Sequence, residues 1–405
     1  MHMSGESYAG HPLNEKERII YPPPYPTDGR EVSYYYEEKL LDLFKKLKGY
    51  PDVEEIDEIF YQINNYTCFN FTKSQVDIKN KIGIYFCITQ HNDHVRLSND
   101  DNKPTYISLK EETYKDIFKI RFYLGLAFGL IPEIQRIDRD RELQIDYDNI
   151  SLYFKPYFNK SNYYYKFIQN TDYDFASATH FPNDFGSKGL EITYKPFNCR
   201  YEEMLKANRL FVYSDFRKIN NIYCKCLKKN SCEHGGYYSK KNCMECQCPS
   251  IFTGKNCENL IETKEKIGCN NGNTEIKIKK DEKKEGEVTI KNIKEDCYIS
   301  ITAEDKNKVV QITVKSAEII NFDGCIMNPR GEIKYRKDKG VEGLYIQYNV
   351  SNPFKLKALS NEVFIKFHDY FSRSSLKLSY KEIDPIEIDS TKDSKELIES
   401  CKAEI

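Results

Sequence analysis

The sequence predicts a multidomain α+β chain: a mixed helix-and-strand region, then a small disulfide-rich module, then an antiparallel β-sandwich. Three observations carry this. The 405 residues exceed one typical domain and suggest two or three. Seven of the 14 cysteines fall between Cys224 and Cys257, in a short Gly-containing stretch that must be stapled because it cannot bury a core. After Glu262 come short alternating runs (Glu275–Ile278, Glu287–Ile290, Tyr298–Ile301, Val310–Val314, Val363–Phe367), spaced as in a sandwich.

Residues 1–28 are Pro-rich and polar (YPPPYPTDG) and read as an extended N-terminal segment. Residues 29–225 have mixed globular composition. Within them Val32–Tyr36 reads as a strand. Val53–Asn64 reads as an amphipathic helix, since Val53, Ile56, Ile59, Phe60 and Ile63 recur at helical spacing. Ile82–Ile88 reads as a buried strand, and Tyr114–Leu130 as the most apolar helix. His91 and His94 offer metal-binding imidazoles, but they lie in a polar stretch that reads as a loop; a solvated or satisfied pair is the expectation. Residues 226–258 form the cysteine-dense module and 262–382 the strand-rich region. Lys277–Glu287 carries both signs of charge and reads as a solvated edge or turn. Residues 383–405 form an acidic tail with one short helix near Glu396.

Sixty-one basic against 62 acidic side chains leave a formal charge of −1, which favours neither nucleic acid nor an anionic membrane as partner. The longest apolar run, Phe122–Pro132, is about half of the ~20 residues needed to cross a bilayer, so no membrane span is expected. Clustered cysteines suit an oxidising compartment, and Asn65, Asn70, Asn149, Asn159 and Asn349 each begin an N-glycosylation pattern. Together they predict a secreted, extracellular glycoprotein. The opening MHMSGESYAGHPL has neither basic start nor apolar core, so it is not read as a signal peptide.

Arg136-Ile-Asp-Arg-Asp140, then Ile145 and Asn149-Ile150, resembles the stretch that follows the zinc motif of the astacin-type metalloproteases, a metzincin family, HExxHxxGFxHExxRxDRD. Thr67-Cys-Phe-Asn-Phe71 is similar to that family's TCIxF. Ser214-Asp215, Ile219-Asn220 and Tyr223-x-x-Cys226 resemble its closing segment. The resemblance implies a zinc endopeptidase fold, in which three imidazoles leave one zinc position open for water and a Glu takes the proton.

The positions for that chemistry hold other residues. The three ligand positions are Phe122, Leu126 and Pro132, and the general-base position is Tyr123. None of Phe, Leu or Pro can coordinate zinc. Tyr173–Phe181 resembles the family's YDYxSxMHY, with Thr179 at the Met-turn position and Phe181 at that of the zinc-reaching Tyr. Gly129, Glu133, Arg136, Asp138, Arg139, Asp140 and His180 match the family scaffold. No catalytic residue and no metal ligand is therefore expected. Phe122 and Leu126, four apart on a helix, are expected to form an apolar plug, each burial stabilising by about 1.5–3 kcal/mol. Glu133 and the Arg136–Asp140 charges read as a structural network. By resemblance, Glu133 is also the position that receives the amino terminus of a trimmed chain.

The order of cysteines with Gly235-Gly-Tyr237 and Cys248-Pro…Gly254 resembles an EGF-like domain. That resemblance implies Cys226–Cys243, Cys232–Cys246 and Cys248–Cys257, although spacing alone allows fifteen connectivities. Cys269 to about Tyr380 resembles a CUB domain, which implies Cys269–Cys297; whether it binds calcium is left open. Cys68–Cys224 fits a disulfide expected in astacins. Cys87–Cys199 is one pairing left for the remaining cysteines, and Cys325 either pairs with Cys401 or is free. The expected function is that of an inactive astacin homologue, not an enzyme, which binds an extracellular protein and needs no cofactor. The alternatives are a zinc metalloendopeptidase that hydrolyses peptide bonds and an extracellular structural component.

Overall fold

The computed structural model describes residues 8–9, 22–47, 52–161, 171–189, 191–205, 211–226, 228–238, 243–280, 284–320, 329–369 and 371–385. The expected tail helix near Glu396 and the Cys325–Cys401 pair lie outside them. Two compact units emerge. The first comprises Met1–Lys195, Arg209–Ser231 and Tyr237–Gln247; the second comprises Pro196–Asn208, Cys232–Gly236 and Cys248–Ile405.

The first unit is built on a six-stranded sheet. Its strands are β1 (Tyr8–Ala9), β2 (Val32–Tyr36), β3 (Phe71–Lys73), β4 (Gly83–Ile88), β5 (His94–Arg96) and β6 (Thr105–Leu109), in the order β1-β5-β6-β4-β2-β3. Helices α1 (Glu38–Leu47), α2 (Val53–Tyr66) and α3 (Ile117–Ala127) bury Leu40, Phe60, Ile63, Ile120 and Leu124 in the core. The α2 stripe read from the sequence is the buried one: Ile56, Ile59, Phe60 and Ile63.

Helix α3 is shorter than its apolar run, for local reasons at each end. Asp116 caps the N-terminus by accepting from the Phe118 and Lys119 amides. At the other end Gly129 takes a left-handed φ of 73°. The Gly129 amide donates to the Leu126 carbonyl at 2.8 Å and the Leu130 amide to the Gly125 carbonyl at 3.1 Å, the paired bonds of a Schellman turn.

Residues 22–28, the described run of the N-terminal segment next to the first unit's sheet, pack into its core through Tyr25. Tyr25 is buried, its hydroxyl donates to the Ala127 carbonyl at 3.0 Å, and its ring sits among Phe69, Phe71, Phe128 and Tyr223. His94 opens β5 where the sequence reads as loop, while His91 stays exposed. The unit continues with β7 (Leu143–Ile145) laddered to β8 (Tyr194–Pro196), helix α4 (Tyr213–Tyr223), and a hairpin of β9 (Tyr237–Tyr238) and β10 (Cys246–Gln247).

The second unit carries a small hairpin, β11 (Phe252–Thr253) with β12 (Asn259–Leu260), and two larger sheets. One has five strands: β13 (Glu275–Ile278), β15 (Cys297–Ala303), β17 (Gly331–Lys334), β18 (Leu344–Ile346) and β20 (Glu362–Phe367). The other has four: β14 (Gly286–Lys291), β16 (Val309–Glu318), β19 (Phe354–Lys355) and β21 (Ser375–Ile383). Alternate residues of both sheets are buried, among them Ile299, Ile301, Ile312, Val314, Ile365 and Leu378. One pairing departs from the antiparallel expectation: β13 runs parallel to β15.

Disulfides join Cys68–Cys224, Cys226–Cys243, Cys248–Cys257 and Cys269–Cys297. Cys232 and Cys246 are both disulfide-bonded. The expected Cys87–Cys199 pair is corrected: Cys199 is disulfide-bonded, whereas Cys87 is a free thiol. The reason is register. Cys87 on β4 faces Ser108 on β6, with Sγ 3.2 Å from Oγ. Burial pushes its thiol up from the ordinary cysteine range. Adjacent strands ~4.8 Å apart fall within the Cα separation a disulfide accepts. Ser108→Cys is therefore expected to form a bond to Cys87. Closing a 21-residue separation predicts about 3 kcal/mol of added stability in the chain-entropy account. Thiol titration together with denaturation under oxidising and reducing conditions checks it. A Cys87 thiol that remains titratable after oxidation would refute it.

Candidate functional site

The residues that the resemblance sets at the zinc-motif and Met-turn positions all lie in the first unit. Helix α3 presents Phe122 and Leu126, both buried, one helical turn apart. The Schellman turn at Gly129 brings the chain back to Pro132, which is also buried. The loop 171–181 supplies Thr179 and Phe181. A methyl group on Gly125 would come 2.6 Å from the Thr179 Cγ2, so that side chain lies directly against the helix.

The site is an aromatic cluster. Phe181 is 2% exposed, and its ring lies 5.6 Å from Phe122, 5.4 Å from Phe158 and 4.2 Å from Phe185. Tyr123, at the general-base position, is a half-buried phenol. Burial and then the Asp93 carboxylate push its pKa far above neutrality, so it keeps its proton. These side chains do not fit a zinc ion: the ligand positions are occupied by carbon, and no carboxylate stands where the base would be.

The other candidate histidines are not gathered there. His94 Nδ1 contacts the Asn92 carbonyl at 2.9 Å, and Asp93 accepts from the Lys110 amide and the Thr113 hydroxyl, both at 2.7 Å. His180 is buried between two phenols, Tyr173 at 2.7 Å and Tyr194 at 3.2 Å. Burial lowers its pKa to about 4, so the imidazole is neutral near pH 7. Among the described residues no group of three or more His, Cys, Asp or Glu is placed to hold a metal.

The scaffold charges form a buried network. The Arg136 guanidinium takes both Asp138 oxygens, at 2.9 and 2.8 Å, and donates to the Thr171 carbonyl at 2.7 Å. Arg139 donates to the carbonyls of Ile134 and Phe158 and pairs with Asp140 at 3.1 Å. Glu133, 2% exposed, accepts from the Asp174 amide at 3.2 Å. The Lys218 side chain on α4 brings its ammonium into direct contact with the other Glu133 oxygen.

Lys218 and its helix were not legible as site residues. Three residues earlier on α4, Asp215 is fully buried and accepts from Ser177 Oγ at 2.5 Å and the Ala178 amide at 2.8 Å. Burial raises its pKa, opposed by Lys218. Ser214 donates to Asp174 at 2.6 Å. Helix α4 thus holds the 171–181 loop in place through Ser214, Asp215 and Lys218. The one sequence signal was a lysine three residues after an acid on a helix whose face is otherwise buried.

The family model described as Astacin, a peptidase family, matches residues 29–224. The zinc metalloproteinase dpy-31 of Brugia malayi is 28% identical over 207 residues, covering 49% of this chain and 33% of that protein. The zinc metalloproteinase nas-31 of Caenorhabditis elegans is 24% identical over 371 residues, covering 89% of this chain and 57% of the other. The chain thus spans from a third to a little over half of the length of these relatives. A solved structure, the high choriolytic enzyme 1 hatching zinc-protease of the medaka Oryzias latipes, aligns with 50% of this chain and 94% of its own. That alignment has a TM-score of 0.37 and 18% identity. Over residues 29–224 the chain therefore carries a domain of the astacin peptidase family.

Proposed function

We propose that this chain is a secreted, catalytically inactive astacin homologue that acts by binding another extracellular protein. The observation that carries the reading is the donor set: Phe122, Leu126 and Pro132 at the ligand positions, with Phe122 packed against Phe181. Zinc-activated hydrolysis requires nitrogen or oxygen ligands and a base, and neither chemistry is available from these side chains. A binding role is supported by the sheet edge. Strand β5 already takes an extended segment in antiparallel pairing, Tyr8 opposite Arg96 and Ala9 opposite Val95, the geometry by which a partner peptide adds to a sheet. The module 226–258 and the sandwich 262–382 are read as EGF-like and CUB-like. No helix among the described residues is long and apolar enough to cross a membrane. Asn65 and Asn159 stand exposed as glycan acceptors, which intact mass before and after deglycosylation tests.

The names of the relatives favour a second reading, a working zinc metalloendopeptidase. Elemental mass spectrometry after dialysis, alongside cleavage of casein, separates the two. Zinc far below one per chain with no cleavage is the expected result. Stoichiometric zinc with chelator-sensitive cleavage would overturn the proposal and direct mutagenesis to His91, His94 and His180. A third role, as a structural matrix component, predicts no soluble partner of defined stoichiometry.

A further inference from the structure

We infer that His234 is a pH-dependent clasp that fastens the Cys248–Cys257 disulfide loop to strand β20 and releases it as pH rises. All parts lie within the second unit. His234 sits at a tight turn, with left-handed φ of 49° there and 80° at Gly235, closed by the Gly236 amide donating to the Glu233 carbonyl at 2.8 Å. A non-glycine residue in this conformation costs roughly 1–2 kcal/mol, so its surroundings must hold it.

They do so on every side of the ring. One face lies parallel on Phe252 of β11, with 4.2 Å between centroids and 1° between planes. Phe364 of β20 meets the ring edge-on at 5.3 Å. Nδ1 lies 2.7 Å from the Cys257 carbonyl, and Nε2 lies 3.5 Å from a Glu362 carboxylate oxygen. Both nitrogens therefore face acceptors. A neutral imidazole has one N–H and can satisfy one of them; the imidazolium has two and satisfies both. The geometry itself selects the charged ring.

The charges around it work in the same direction. Desolvation disfavours the imidazolium, but the Glu362 carboxylate, the Cys257 carbonyl and Glu233 outweigh it and raise the pKa above the ordinary 6.5. Glu362 is correspondingly lowered, chiefly by its bond to His234. Opposing cations are near. Lys339 is buried with Nζ on the Glu362 carbonyl at 2.9 Å and the Ser360 hydroxyl at 3.0 Å; Lys308 is paired with Asp384 at 2.7 Å; Lys306 and Lys337 line the same groove. With the folded pKa raised, the clasp is fully closed below pH 6.5, the ordinary value, and weakens as pH climbs through the folded one. Each unit of upward shift corresponds to about a tenfold change in the closing equilibrium.

The test uses the full chain. Seven histidines permit assignment of the His234 ring by NMR titration, and amide hydrogen exchange, corrected for intrinsic base catalysis, reads the loop. The expected result is a His234 pKa above 6.5 and a loss of protection around residues 250–257 through the same pH range. Glu362→Gln keeps the ring stack and is expected to lower the His234 pKa and flatten the pH dependence of exchange. His234→Asn tolerates the left-handed turn but removes the ring, and is expected to leave the loop loose at every pH. A His234 pKa at or below 6.5 would overturn the proposal. So would loop protection that does not change with pH, or a Glu362→Gln protein with the wild-type profile.

Discussion

Lys218→Met is expected to destabilise the first unit by about 3–5 kcal/mol, the cost of removing one partner from a buried ion pair. Glu133 is 2% exposed on its side chain and Lys218 is 12% exposed, so neither can turn to water without local opening. Once the ammonium is gone, Glu133 keeps the Asp174 amide at 3.2 Å and a long Arg136 contact at 3.7 Å. Arg136 is already committed to Asp138 and Thr171. The carboxylate is then left as a buried charge without its cation, and that costs stability. The loss should extend to the 171–181 loop, because Asp215 on the same helix face loses the neighbouring cation as well. Chemical denaturation measures the effect, and the double variant with Glu133→Gln provides the control. Removing the stranded charge should recover part of the loss, since a neutral amide costs less to bury than an unpaired carboxylate. A Lys218→Met protein within 1 kcal/mol of wild type would mean that Glu133 is neutralised by some other group.

The sequence made the elements legible where pattern is local and left obscure what depends on register and distance. Helix α2 could be read because its apolar spacing reports one buried face, and strands β2, β4 and β15 because they are short runs buried through most of their length. The count back from Arg136–Asp140 sets Phe122 and Leu126 at the family's ligand positions, and both are buried on α3. The Cys87 environment could not. Nothing local says that Ser108 will face it across two parallel strands, and elimination among leftover cysteines chose Cys199 instead. Lys218 was equally hidden, since its partner lies 85 residues away and only tertiary packing brings them together. Tyr25 was hidden by its Pro-rich neighbours, whose composition reads as linker even though the ring is 4% exposed. The His234 clasp depends on a turn whose left-handed residue is not a glycine, which composition gives no reason to expect.

Phe181→Ala is expected to cost about 3–5 kcal/mol, as removal of a fully buried aromatic ring from a packed core does. The size of the loss distinguishes a filled site from a vacated one. If Phe122, Leu126 and Phe181 pack as a plug, truncating the central ring leaves an apolar void between Phe122, Phe158 and Phe185, and the cost approaches that of any core deletion. If the region is instead a hydrated remnant of a metal pocket, water takes the space and the loss stays near 1 kcal/mol. Leu152→Ala, at a position 83% exposed, should fall within about 0.5 kcal/mol of wild type and calibrates the measurement. The same logic fixes the expected response to chelation. A fold whose former ligand positions are held together by dispersion and burial should show the same melting temperature with and without a strong zinc chelator. In a protein whose zinc is bound by the folded state, the chelator would lower it. A small loss in Phe181→Ala combined with chelator-sensitive melting would refute the plug. It would also return the chain to the zinc-dependent reading.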